Sequence, residues 1–264
     1  MRVTVVGSGD AFNSRGRLHS CYLIEGDGLG CTMVDFGATA LAGLQRLGKS
    51  TASLDTLCIT HLHGDHIGGI PFLVIDALFA RPRGRPLDIV GPVGLEARIR
   101  ALVEVSYGDV WSSRADQLEL RFTELPPGSS RDLGGLKLET FAADHMDPPE
   151  QPLCLRLSAD GDSVAFSGDT QPCPGLFEAA RGTGLLVCEL SSLAPPAGRH
   201  CTWAQMRERL PELETASVLF THLGPDVRDA VSRLEREAPA NGPPIRFAED
   251  GLVLEVLPGA RARA

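Results

Sequence analysis

The sequence predicts an α/β protein in which two β-sheets pack on each other with helices outside. Three observations carry this reading. Short β-rich runs bounded by Gly, Pro and Asp turns recur along the chain, and in both halves they precede segments with helical character. No internal repeat, low-complexity tract or long linker divides the 264 residues, so one domain spanning 1–264 is expected.

The opening runs 3–6, 21–25 and 31–35, separated by Gly-rich turns, read as an antiparallel meander. A helix is expected over 38–47. Thr56-Leu57-Cys58-Ile59-Thr60 reads as a buried strand, and 67–79 as an apolar helix-like segment. Residues 87–91 read as a strand and 94–105 as a helix, whereas 107–117 shows little periodicity and is expected to be irregular. Strands recur around 118–123, 136–142, 153–157 and 164–167. The remainder alternates helix and strand over 176–180, 185–188, 203–210, 217–220 and 227–237, and closes with a strand at 252–257. Thr202-x-x-Gln205 has the spacing of a capping box for the helix that starts at Trp203.

With 43% hydrophobic residues the chain can bury a sizeable core. No stretch approaches the roughly 20 apolar residues that span a bilayer, and the opening Met1-Arg2-Val3-Thr4 lacks a signal-peptide pattern. A soluble, cytoplasmic protein without a membrane partner is expected. Seven cysteines, an odd number with no C-x-x-C pair, read as small reduced side chains inside strands. The net charge of -9 counts against a broad basic face for nucleic acid. It does not exclude a phosphate ester, because divalent cations would make one pocket locally positive. A homodimer is left open.

The densest chemistry lies in His61-Leu62-His63-Gly64-Asp65-His66, at the mouth of a predicted strand. His61 and His63 alternate with Leu62 and so can project the same way. Imidazole and carboxylate are ligands that borderline divalent cations prefer. Gly64 is expected to let the chain turn tightly, bringing Asp65 and His66 toward a second metal position, and Gly68-Gly69 to let a helix pack closely behind. His145 follows the strand ending near Ala142, Asp169 follows Val164-Ala165-Phe166, and His222 follows Phe220-Thr221. All three could converge on the same point, a carboxylate being a natural bridge between two cations about 3.5–4 Å apart.

The series His61-x-His63-x-Asp65-His66, His145, Ser167-Gly168-Asp169-Thr170 and Thr221-His222 resembles the ordered ligand set of the metallo-β-lactamase fold hydrolases. The resemblance covers nearly the whole chain. Gly7-Ser8-Gly9-Asp10-Ala11-Phe12, Arg17 and the histidine run resemble the ribonuclease Z branch in particular. It implies a four-layer αβ/βα sandwich and a dinuclear metal-dependent hydrolase. His61, His63 and His145 would hold one ion, Asp65, His66 and His222 the other, and Asp169 would bridge. Zinc is the expected metal, with Mn2+ or Fe2+ as alternatives. Asp65 could also orient or deprotonate the attacking water. Glu189 and His200 resemble that branch's acid–histidine pair, whose histidine donates to the scissile phosphate or leaving group. The competing reading of His200 is a residue that merely precedes the helix capped by Thr202. His19 matches no ligand position and reads as structural or supporting.

One departure bears on substrate. Ribonuclease Z enzymes that process tRNA carry a protruding basic arm between the third and fourth motifs, whereas Arg156 to Ser163 reads here as a tight acidic hairpin. Precursor tRNA is therefore doubtful, and a small phosphodiester is the expected substrate. Lactones, thioesters, arylsulfates and β-lactams are the alternatives within the same chemistry. A diiron redox protein is disfavoured, because such proteins resemble this chain but carry glutamate where His63 stands.

Overall fold

The computed structural model describes residues 1–256, apart from the side chain of Ala115. In chain order the first half runs β1 (Arg2–Gly7), β2 (Cys21–Glu25), β3 (Thr32–Val34), α1 (Ala40–Arg46), β4 (Thr56–Cys58), α2 (Gly64–Ile67), α3 (Ile70–Ile75), β5 (Leu87–Gly91), α4 (Leu95–Tyr107), α5 (Val110–Arg114) and β6 (Leu120–Glu124). The second half runs β7 (Ser130–Asp132), β8 (Lys137–Ala142), β9 (Leu153–Ala159), β10 (Asp162–Phe166), α6 (Pro174–Ala180), β11 (Leu185–Glu189), α7 (Trp203–Arg209), β12 (Val218–Thr221), α8 (Pro225–Glu237), β13 (Ile245–Phe247) and β14 (Val253–Glu255).

These strands form two seven-stranded sheets, ordered β14-β1-β2-β3-β4-β5-β6 and β13-β12-β11-β10-β9-β8-β7. The opening meander is antiparallel through β1, β2 and β3, and the sheet then turns parallel out to β6. The second sheet is antiparallel from β7 to β10 and parallel from β10 to β13. β14 returns to pair with β1, lacing the far end of the described chain into the first sheet.

The period of two along each strand sorts apolar side chains into three packed layers. Val3, Val5, Tyr22, Ile24 and Val34 point inward to meet Leu155, Leu157, Val164, Phe166 and Val187 of the opposite sheet. Their neighbours Cys21, Leu23, Met33, Leu57 and Ile89 face outward and are covered by Leu44, Leu73, Leu95 and Ile99 of α1, α3 and α4. On the other side Ala165, Leu186, Cys188, Val218 and Phe220 are covered by Leu176, Met206 and Leu234 of α6, α7 and α8. Each such side chain contributes about 1.5–3 kcal/mol on full burial, so all four layers are held by apolar burial. The result is the αβ/βα sandwich the sequence predicts.

Several expectations shift. The segment 107–117 is not irregular: it holds α5 and a further 3-10 turn, anchored by buried Trp111, over which the Arg100 guanidinium sits 5.1 Å from the ring centre. The apolar stretch 67–79 is broken at Gly68-Gly69 into α2 and α3, and α3 runs on into a single π-helical turn. β7 and β13 are additional edge strands. Leu257, the last residue of the expected final strand, lies outside the described residues. All seven cysteines are free, and only Cys31 is not fully buried. Among the described residues no helix is long and apolar enough to cross a membrane.

Candidate metal centre

The strand ends and the loops after them deliver the polar side chains to one edge of the sandwich. From the first sheet, β4 leads into Thr60-His61-Leu62-His63 and then α2. Leu62 is buried in the outer core, which pins the alternation that sends His61 and His63 the other way. Gly64 does not make the tight turn expected of it. It opens α2 with an ordinary φ and free space around its α-carbon, and the helical turn itself carries Asp65 and His66 to the centre. Gly69 is the glycine that packing requires: a Cβ there would lie 2.2 Å from the Gly37 carbonyl oxygen.

From the second sheet come His145 after β8, Asp169 after β10, Glu189 at the end of β11 and His222 after β12. Gly168 has a left-handed φ of 57°, and a Cβ on it would lie 2.8 Å from Thr60 Cβ, so the turn bearing Asp169 closes directly on the strand end bearing His61. His222 also adopts a left-handed φ, of 52°.

Two of the donor groups contain no residue in common, His61 with His63 and His145, and Asp65 with His66, Asp169 and His222, the atoms of each lying within 4.8 Å of one another; two further, overlapping groups bring His200 to His145 and Asp169, and to Glu189 and His222. His145 Nε2 stands 3.0 Å from His63 Nδ1. His66 Nε2 and His222 Nε2 each stand 3.3 Å from Asp65 Oδ2. Asp169 lies between the groups, with Oδ1 3.3 Å from His66 Nε2, and Oδ2 3.3 Å from His222, 3.8 Å from His61 and 3.9 Å from His145.

The surrounding hydrogen bonds aim these rings. Asp35, buried and at a left-handed φ of 59°, accepts from Thr60 N (2.8 Å), Thr60 Oγ1 (2.8 Å) and His66 Nδ1 (2.7 Å). With its hydroxyl proton committed to Asp35, Thr60 Oγ1 accepts from His61 Nδ1 at 3.1 Å. His145 Nδ1 donates to the Arg199 carbonyl at 3.1 Å. In each ring the nitrogen left over faces the centre. Asp35 was visible in the sequence only as a strand end, because its partner His66 stands 31 residues further on.

His61 Nε2 and His66 Nε2 are buried and find no hydrogen-bond partner among the described residues. A buried polar atom left unpaired costs about 1–3 kcal/mol, and a divalent cation among imidazole and carboxylate donors is the group these residues fit. Burial, with His66 next in weight, keeps His61 well below its ordinary pKa, and burial likewise lowers His63 and His145. Burial opposes charge on His66 too, but Asp169 and Asp35 outweigh it and raise that ring well above its ordinary value. Burial resists ionisation of Asp169 and Asp65. Around Asp169 the charges of His222 and His66 prevail, and around Asp65 the neighbouring His222 and His66 rings do, so both carboxyls lie below the usual range.

Glu189 and His200 also come together. Glu189 Oε1 accepts from Thr170 N at 2.6 Å and from His200 Nδ1 at 2.9 Å, while burial and then Asp169 raise its carboxyl well above the usual range. The His200 ring stacks on His222 with centres 5.7 Å apart. Thr202 and Gln205 do form the capping box, so His200 both precedes that cap and faces the centre. His19 stands apart: its backbone N–H donates to Thr39 Oγ1, and its ring belongs to neither donor group. His63, Asp65, His145 and His200 line one open cavity of about 350 Å³, with Phe12 on its wall.

Comparisons place this arrangement among known proteins. A family model described as "Anti-Pycsar protein Apyc1" matches residues 1–238. Ribonuclease Z of Mycobacterium avium strain 104 is 30% identical over 195 residues, covering 71% of this chain and 69% of its own length. The metallo-β-lactamase fold protein YhfI of Bacillus subtilis superposes with a TM-score of 0.77 at 18% identity, over 96% of this chain and 99% of its own. A structure described as a new diphosphatase of the PhnP family gives 0.75 at 19% identity, over 98% and 99%.

Proposed function

From the premise that the chain belongs to the Apyc1 family, and is a metal-dependent hydrolase of the metallo-β-lactamase fold related to ribonuclease Z, we propose that it cleaves a small phosphodiester at a dinuclear centre. One observation carries this: two donor groups lie side by side with Asp169 of the second group facing His61 and His145 of the first at 3.8 and 3.9 Å, and the Glu189–His200 pair stands beside them, His200 lining the same cavity. The related ribonuclease Z and the diphosphatase that shares the fold both act in phosphate chemistry.

In this reading His61, His63 and His145 would hold one divalent ion and Asp65, His66 and His222 the other, with Asp169 available to both. When bound, the ions supply Lewis acidity to the phosphoryl oxygens and activate water near neutral pH. Asp65, ionised at any ordinary pH, orients the attacking water through its carboxylate. Glu189 fixes His200 by its Nδ1, which leaves Nε2 turned toward the cavity as a proton donor to the leaving oxygen. A ring placed this way serves an ester whose leaving group needs a proton.

Size favours a small substrate over precursor tRNA. Between β9 and β10 the chain turns on Asp160 and Gly161 alone, both at left-handed φ, with no arm to grip a polyanion. The test is elemental analysis of protein expressed with ample metal, run beside rates on bis(p-nitrophenyl) phosphate, lactones, β-lactams and precursor tRNA. Close to two divalent ions per chain, with zinc expected and the small diester cleaved fastest, is the predicted result. Less than half an equivalent of metal, or dominant activity on lactones or tRNA, overturns the reading.

A further inference from the structure

The cavity above the donor groups has one feature the hydrolytic reading leaves unused. Phe12 lines it while remaining 86% exposed. Isolated exposed phenylalanines are ordinary, so exposure alone says little. The backbone around this one is, however, held from several sides. Buried Asp10 accepts from Phe12 N at 3.1 Å, Ser14 N at 2.9 Å and Ser14 Oγ at 2.7 Å. Asn13, at a left-handed φ of 51°, donates through Nδ2 to the Arg17 carbonyl at 2.8 Å. Arg15 and Arg17 tie the loop's far side to Asp229 and Glu249.

Beyond the metal-facing side chains Phe12 is the wall's one aromatic residue; around it stand small residues such as Ser191, Ser192, Ala197 and Gly224, with Asp10 and Pro225 beside them. A flat ring entering it therefore meets one aromatic plane other than the imidazoles, carried on a backbone that is already held. Resting on the phosphodiesterase reading, we propose that Phe12 is a stacking platform for an aromatic or heteroaromatic substituent of the substrate, and so sets its selectivity for aryl-bearing phosphate esters. Holding the loop backbone beforehand lowers the entropy cost of ordering the platform on binding. Stacking is indifferent to the ring's edge, so the selection is for flatness rather than for a particular ring.

The test compares wild type with Phe12→Ala, Phe12→Tyr and Phe12→Trp on bis(p-nitrophenyl) phosphate and methyl p-nitrophenyl phosphate. Calorimetric binding of phenylphosphonate and methylphosphonate to each zinc-loaded protein is measured alongside. Wild type favours the diaryl ester and the phenyl ligand; Phe12→Ala loses about ten-fold of each preference, and the aromatic replacements keep them. Metal content is equal throughout. A Phe12→Ala protein that retains both preferences overturns the proposal, as does one whose only change is altered self-association in sedimentation. If no variant turns over either diester but the phenylphosphonate preference depends on Phe12, the phosphodiester reading falls and the platform stands on binding.

Discussion

Replacing Asp35 by Asn tests whether the second donor group is aimed by its neighbours. Asn tolerates the left-handed φ of 59° found there, so the backbone need not move. The carboxylate accepts on both sides, from Thr60 N at Oδ1 and from Thr60 Oγ1 and His66 Nδ1 at Oδ2. An amide has one accepting side. Its donating NH2, turned toward Thr60 N, would oppose a backbone N–H that cannot move; turned toward His66 Nδ1, it opposes a ring whose proton can shift. The second orientation wins, and the proton goes to His66 Nε2, the atom that must be bare to hold a cation.

Losing the charge-assisted bond costs about 1.5–3 kcal/mol of stability. Losing the orienting partner of a metal-binding histidine weakens metal affinity about 10–100-fold, or roughly 1.4–2.7 kcal/mol. Chelator competition with zinc should show the His66 equivalent weakened by that factor and the His61 equivalent weakened less, through Thr60 Oγ1, which loses its acceptor on the same side of residue 35. The rise in melting temperature on adding zinc should shrink in step. An Asp35→Asn protein that binds both equivalents with wild-type affinity would refute the argument.

Two further outcomes follow from the same geometry. In the metal-free protein Asp169 and Asp35 outweigh burial and raise His66 well above its ordinary pKa, favouring its charged form, whereas burial lowers His61, His63 and His145 and favours their neutral forms. Metal entering the His66 group must displace protons, so raising the pH strengthens that equivalent; calorimetry in buffers of different ionisation enthalpy should show proton release confined to one binding step, and equal release at both steps would contradict this. Gly69→Ala would drive a Cβ against the Gly37 carbonyl and Phe36 ring, at 2.2 and 2.8 Å, and should cost about 1–3 kcal/mol in urea unfolding. An unchanged midpoint would show that this approach is slack.

The layered fold was legible because its strands alternate cleanly: Cys21, Tyr22, Leu23 and Ile24 go alternately to the outer and inner cores. β7 was invisible for the converse reason. Ser130, Arg131 and Asp132 are all exposed, so an edge strand made only of hydrogen bonds leaves no apolar signature. α5 is a short helix anchored by Trp111 alone among its residues, too little for a helical period to register. The histidines and Asp169 announced themselves by residue type, but the groups that aim them did not. Asp35, Thr60 and the Arg199 carbonyl are ordinary until the fold brings them to a ring nitrogen.

Because the donors are drawn from both sheets, the centre is also a record of folding order. Asp65 and His222 meet at 3.3 Å across 157 residues of chain. Closing a loop of that length has an entropic cost that only the inter-sheet core can offset. A nascent chain can present His61 and His63 long before β12 exists, yet it cannot offer the full second group until His222 has emerged and docked. A cation held by that group would therefore be captured last, as a latch on a finished fold rather than a seed for it. Chelation should leave both sheets in place while freeing the loops that bridge them.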